Sequence, residues 1–346
     1  MLETLWFCLV ALMVATYVVL DGYDLGAGIV HLFVAHSDEE RRQVLQTIGP
    51  FWDGNEVWLL AGGGTLYFAF PALYAASFSG FYLPLMMVLW LLMLRGISIE
   101  FRSHVESPVW RPLWDTVFGG ASALLAIFFG AALGNVVRGV PLDASGFFFL
   151  PLWTNFGVSG SLGILDWYTV IIGVAAFATL ILHGALWVAL KTEGSLEERC
   201  RQLALRAWWA VAALIVVITV LSFAVQPQLS ASFAAHPWGY VFPACALIAL
   251  VLVRLWTPRR TAAPFLASSA FIAMMLVSAA FGLYPYVLPS SLGPQFGLTI
   301  SNAAAAGYGL RIGLWWFVPG IALAIGYFLF TYRRFAGKVR SAQESY

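Results

Sequence analysis

Nine stretches of this chain are too apolar and too long to belong to a water-soluble fold. They fall near residues 5–34, 47–70, 77–95, 112–136, 164–190, 204–225, 240–256, 264–287 and 309–332. About 20 apolar residues in helical form cross a hydrocarbon layer roughly 30 Å thick. Lipid offers no hydrogen bonds, so such segments must satisfy their backbone amides internally, as helices do. The pattern predicts an all-α polytopic membrane protein with nine transmembrane helices. Composition agrees: 61% of residues are apolar and only 10% charged, where a soluble domain carries about a quarter charged. A net charge of +1 with no basic run gives no reason to expect nucleic acid. Cys8, Cys200 and Cys245 are odd in number and far apart, so neither a disulfide framework nor a cysteine metal site is expected. Met1-Leu2-Glu3 lacks the positive start of a cleaved leader, and the first apolar run reads as the first span.

Charge sets the orientation. Alternating the nine spans puts sixteen of the 18 Lys and Arg residues on one side and leaves only Arg138 and Arg311 on the other. The positive-inside rule then places the N-terminus outside and the C-terminus in the cytoplasm. The loop Lys191–Arg206 divides residues 1–190, helices one to five, from residues 191–346, helices six to nine.

Acids inside apolar runs are costly and need a reason. Asp21 and Asp24 stand three residues apart, as do Asp53 and Glu56, so each pair shares one helix face. No Lys or Arg lies close by in sequence, and four crowded acids without a cation cannot all stay ionised. Such an arrangement suits proton transfer. Asp21 lies about 24 Å down from the outer end of the first helix, and Asp53 about 8 Å above the cytoplasmic edge, at 1.5 Å rise per residue. Both pairs should share a depth in the cytoplasmic third of the membrane. Pro50 should mark the first turn or a kink of the second helix. Gly22, Gly26, Gly28, Gly62, Gly63 and Gly64 strip helix faces bare for close packing.

Other features are less pointed. The segment with Arg95, Glu100, Arg102, His104, Glu106 and Arg111 reads as a mixed-charge cytoplasmic loop, with Glu100 and Arg102 as lesser candidates for feeding protons inward. The outer stretch Gly134–Leu165, rich in Phe and Trp, reads as interfacial anchoring or a partner cap. Leu165-Asp166-Trp167-Tyr168 faintly echoes Leu20-Asp21-Gly22-Tyr23. A membrane haem needs axial ligands, most often two facing histidines. His31 and His183 both lie near cytoplasmic helix ends and could share a depth, although hydrogen bonding within the bundle is the commoner role.

Trp52-Asp53-Gly54-Asn55, followed by Val57-Trp58 and Gly62-Gly63-Gly64, resembles subunit II of cytochrome bd-type quinol oxidases. Asp21-Gly22-Tyr23-Asp24-Leu25-Gly26, Ser79-Gly80-Phe81-Tyr82 and Leu298-Thr299-Ile300-Ser301-Asn302-Ala303 support it, and the likeness spans the whole chain. Ala304-Ala305-Ala306 departs from the pattern, where hydroxyl residues are expected. The resemblance implies two four-helix bundles plus one peripheral helix, in a bacterial cytoplasmic (inner) membrane. It implies a heterodimer with a haem-bearing subunit I that carries the quinol site and haems b and d, reducing dioxygen to water. This chain would be a non-catalytic subunit supplying a proton route through Asp53 and Asp24, with Asp21 a third candidate and Glu56 a weaker one. Some members of the family hold a bound quinone in this subunit. Two other readings compete: an ion-coupled secondary transporter, and a purely structural partner subunit.

Overall fold

The computed structural model describes residues 1–339; Arg340, one of the sixteen charges expected on the cytoplasmic side, lies outside them. Twelve α-helices account for most of the chain: α1 Leu2–Val34, α2 Asp38–Ile48, α3 Trp52–Ala69, α4 Pro71–Gly80, α5 Tyr82–Phe101, α6 Trp110–Arg138, α7 Trp167–Lys191, α8 Gly194–Val225, α9 Pro227–Ala235, α10 Val241–Trp256, α11 Ala262–Leu283 and α12 Gly307–Arg334. A small antiparallel pair, β1 Tyr286–Leu288 and β2 Leu298–Thr299, sits in the last long connection. Among the described residues, eight helices are long and apolar enough to cross a membrane: α1, α5, α6, α7, α8, α10 with its preceding turn, α11 and α12. The expected second span, 47–70, becomes the 18-residue α3, which carries Asp53 and Glu56 and is not among those eight. Gly49-Pro50 falls between α2 and α3, so the proline breaks the chain direction there and does not kink a continuous helix.

Helix α1 is the axis of the molecule. Its 33 residues would rise about 50 Å, and it packs against α3, α6, α7 and α11. Its two sides are made differently. Toward α7, a Cβ at Gly26 would lie 2.7 Å from the Gly184 Cα, and one at Gly184 would collide with the Gly26 backbone. The two helices therefore cross backbone to backbone. Toward α6, Gly28 opens a notch filled by the Ser122 side chain. Gly62 is buried, with Met13 and Val14 of α1 4.0 Å from where its Cβ would lie, whereas Gly63 and Gly64 meet nothing within 4 Å, so only part of the second glycine run faces α1.

The charged end holds α2. Ser37 caps it by accepting from the Glu40 amide at 3.2 Å, and Asp38, Glu39 and Glu40 fill its positive first turn. At the opposite end the long connection after α6 packs on the β1–β2 segment. The Val140 amide donates to the Pro289 carbonyl at 3.1 Å, and Ser290 to the Leu142 carbonyl at 2.7 Å. Phe148 is buried there against Gly80, while Phe147, Phe149 and Trp153 stay exposed. Arg138, counted as an outer-side charge, is buried and paired with Asp166. Asp166 caps α7 through the amides of Tyr168 and Thr169. Asp21 lies in mid-helix, so the sequence echo between the two aspartates has no structural counterpart.

Candidate functional site

On α1, residues 21, 24, 28 and 31 fall on one stripe, because steps of three and four residues nearly complete a helical turn. Asp21, Asp24 and His31 on that stripe are all fully buried. The cation that sequence proximity failed to supply comes from α5. Arg95, also fully buried, grips Asp21 with both terminal nitrogens, Nη1 reaching Oδ2 at 2.8 Å and Nη2 bonding Oδ1. The expectation of an acid cluster without a counter-charge is therefore wrong. The reason is the length of α5: it runs on to Phe101, so Arg95 sits inside the helix and not in a loop. A lone Arg within an apolar helix was the available signal.

Asp24 is held otherwise. Its Oδ2 accepts from the Asn55 Nδ2 at 2.7 Å, and its Oδ1 has no hydrogen-bond partner among the described residues. The same amide reaches the Tyr23 hydroxyl at 2.7 Å and the Leu20 carbonyl at 3.3 Å, so α3 and α1 meet level at this point. The Tyr23 hydroxyl continues to that of Tyr332 on α12, 2.6 Å away. Each helical residue advances about 100°, so with Asn55 turned toward α1, Asp53 is rotated some 200° away and Glu56 about 100°. Asp53 accordingly lies exposed on the outer face of α3. The Glu56 side chain is partly exposed, with its Oε2 4.0 Å from the Arg95 Nη1. The structure thus brings Asp21, Glu56 and Arg95 together and sets Asp24 beside them on Asn55. Asp53 stands apart.

A second network, in which Arg102, Arg111 and His31 are joined by Asp115, Arg41 and Asp38, lies nearer the charged end. Asp115 on α6 is buried and accepts from Arg102 Nε at 2.5 Å and Arg41 Nη1 at 2.8 Å, with His31 Nε2 3.7 Å away. Arg102 Nη2 also reaches Asp38 Oδ1 at 2.7 Å, and Arg111 Nη1 reaches Asp38 Oδ2 at 3.0 Å. Burial alone would lower the Arg102 pKa, but the Asp115 and Asp38 carboxylates outweigh it and hold it above its usual value. Arg102 is a buried strut, then, and not part of a solvated loop. Glu100 enters neither network: only its backbone carbonyl is engaged, at 2.9 Å from the His104 Nδ1.

His31 and His183 do not face one another. The His183 Nδ1 bonds the Ser268 hydroxyl at 2.7 Å and its Nε2 the Val19 carbonyl at 3.0 Å. That level on α1 is twelve residues, about 18 Å, from His31. The His31 Nδ1 lies 2.6 Å from the Gly28 carbonyl. Both nitrogens of His183 are engaged by the bundle, and with His31 about 18 Å farther along α1 a haem bridged between the two does not fit. Among the described residues, no three His, Cys, Asp or Glu side chains gather as a metal site would require.

Apolar helices of membrane-crossing length, with an ion pair and a second carboxylate buried between them, define a polytopic membrane protein with ionisable groups inside its bundle. The sequence matches the family described as cytochrome bd terminal oxidase subunit II over residues 2–335, and the chain belongs to that family. It is 32% identical to the cytochrome bd ubiquinol oxidase subunit 2 of Bacillus subtilis, covering 90% of this chain and 89% of that one. Against the cytochrome bd-I ubiquinol oxidase subunit 2 of Escherichia coli K12 the identity is 28%, covering 98% and 95%. A probable cytochrome oxidase subunit 2 of Haemophilus influenzae is 30% identical over the same shares. The bd oxidase structure from Geobacillus thermodenitrificans shares the fold, with a TM-score of 0.75 at 18% identity over 97% of this chain and 98% of that one. Membership sets aside the transporter reading.

Proposed function

We propose that this chain is the non-haem subunit of a quinol:dioxygen oxidoreductase in the bacterial inner membrane, and that it conducts protons toward a haem-bearing subunit I. In this reading α3 joins the eight longer helices as a ninth span, with the α2 end in the cytoplasm. Haems b and d, the quinol site and the reduction of dioxygen belong to the partner; no haem step is assigned to residues of this chain. The protons consumed in making water would be gathered on the cytoplasmic side.

The observation that carries the proposal is the placement of the acids. Asp24, with one carboxylate oxygen unpartnered among the described residues, lies beside the Arg95–Asp21 pair; Glu56 stands 4.0 Å from Arg95, and Asp53, three residues before it on α3, is exposed on the outer face. An exposed acid on a membrane-facing helix is costly in lipid, so Asp53 is best explained by a protein partner covering α3. A proton held on Asp24 passes to Glu56, 4.0 Å from Arg95, and then to Asp53 at the interface. Arg95 holds the Asp21 side chain in place through both terminal nitrogens.

The test is Asp53→Asn in the assembled complex. Turnover should fall at least tenfold with haem content unchanged. Normal turnover removes Asp53 from the route, and joint loss of haem and turnover makes it an assembly contact.

A further inference from the structure

The cleft at the charged end has a volume of about 500 Å³ and is lined by Asp38, Arg41, Glu106, Arg111 and, at its floor, the buried Asp115. Behind that floor, α1 and α6 turn matching stripes toward each other. On α6 these are Asp115, Phe118 and Ser122, at helical steps of three and four; on α1 they are His31, Gly28 and Asp24. Three buried polar atoms along the seam have no hydrogen-bond partner among the described residues: His31 Nε2, Ser122 Oγ and Asp24 Oδ1. The Ser122 hydroxyl occupies the Gly28 notch, one turn from Asp24 on one side and close to one turn from His31 on the other. Each such atom is costly if left unmet, and ordered water is the usual remedy. Three in a row, opening on a polar cleft and ending on an acid, is more than packing requires.

We infer that the cleft is the water-filled mouth of a proton inlet, and that Asp115, His31 and Ser122 line its inner part and lead to Asp24. The inference rests on the reading of Asp24 as a proton carrier. The proton hops along waters hydrogen-bonded to these atoms, each water taking one proton from the cleft side and releasing another inward. The Asp115–Arg102–Arg41 network holds the floor open. His31, with Nδ1 directed at the Gly28 carbonyl, leaves Nε2 free to bind a water. These three are positioning residues for water.

The experiment uses the assembled oxidase in proteoliposomes, with Ser122→Ala, His31→Gln and Asp24→Asn compared for turnover, solvent isotope effect and the rate of proton uptake. Haem content and assembly are checked in each. Ser122→Ala removes a single oxygen, so it carries the test should His31→Gln fail to assemble. The inlet predicts uptake slowed at least tenfold in Ser122→Ala, an enlarged solvent isotope effect, and full haem content. If Asp24→Asn abolishes uptake while Ser122→Ala stays within twofold of wild type, Asp24 keeps its role and the inlet is overturned. If Asp24→Asn turns over normally, the underlying reading fails, and the inlet with it.

Discussion

Removing Arg95 should damage this protein more than removing both members of its ion pair. Arg95 and Asp21 are each fully buried and joined by two hydrogen bonds, with Glu56 4.0 Å from the same guanidinium. Arg95→Met would strand the Asp21 carboxylate out of reach of water. Breaking a buried pair from one side costs about 3–5 kcal/mol, whereas replacing both partners by apolar residues of similar size is often neutral or better. At about 1.4 kcal/mol per factor of ten, the single variant should shift the folding equilibrium by two to four orders of magnitude. Asp21→Leu/Arg95→Met should regain at least about 2 kcal/mol of that loss. Reversible detergent titration of the wild-type, single and double variants in mixed micelles measures these differences. The reasoning is refuted if Arg95→Met lies within about 1 kcal/mol of wild type, or if the double variant is no more stable than the single.

Two further outcomes can be checked directly. Gly184→Ala should separate α1 from α7, because its Cβ would strike the Gly26 backbone; overpacking of this kind costs about 1–3 kcal/mol or more, whereas Gly120→Ala on α6, where nothing lies within 4 Å, should be silent in the same thermal-melt assay. The Glu40 pKa is lowered: burial pushes it up, but the His36 amide and the Arg199 guanidinium outweigh that. A depressed carboxylate stabilises above its unfolded pKa and loses that contribution as pH falls through its folded one. The contact between α2 and α8 should therefore hold at neutral pH and loosen below about pH 4.5, read as faster amide exchange in α2, and Glu40→Gln should abolish that dependence.

Much of the architecture is legible in the sequence because hydropathy and helical period are local properties. The apolar runs locate the helices, and the three-residue spacing puts Asp21 and Asp24 on one stripe without reference to anything else. The level of the two acidic motifs is legible too, since rise per residue is constant, and the contact of Asn55 with Leu20, Tyr23 and Asp24 agrees with it. Partners are harder to read. Arg95 stands 74 residues from Asp21, and Asp115 stands 84 residues from His31. Asp115 stands at the edge of an apolar run, and Asn55 is uncharged between the acids of its motif, so neither carries a local sign of its partner.

What the chain determines by itself is that it forms apolar helices, how far along each one the acids lie, and to which family it belongs. What only the tertiary structure decides is the rotation of each helix about its own axis. That rotation turns Asn55 inward and Asp53 outward, gives Asp21 a cation, and sends His31 and His183 to different neighbours. The physical reason is that a helix in an apolar medium has many outward faces of nearly equal energy. The choice among them falls to close contacts such as Gly26 on Gly184, supplied by residues far away in the sequence.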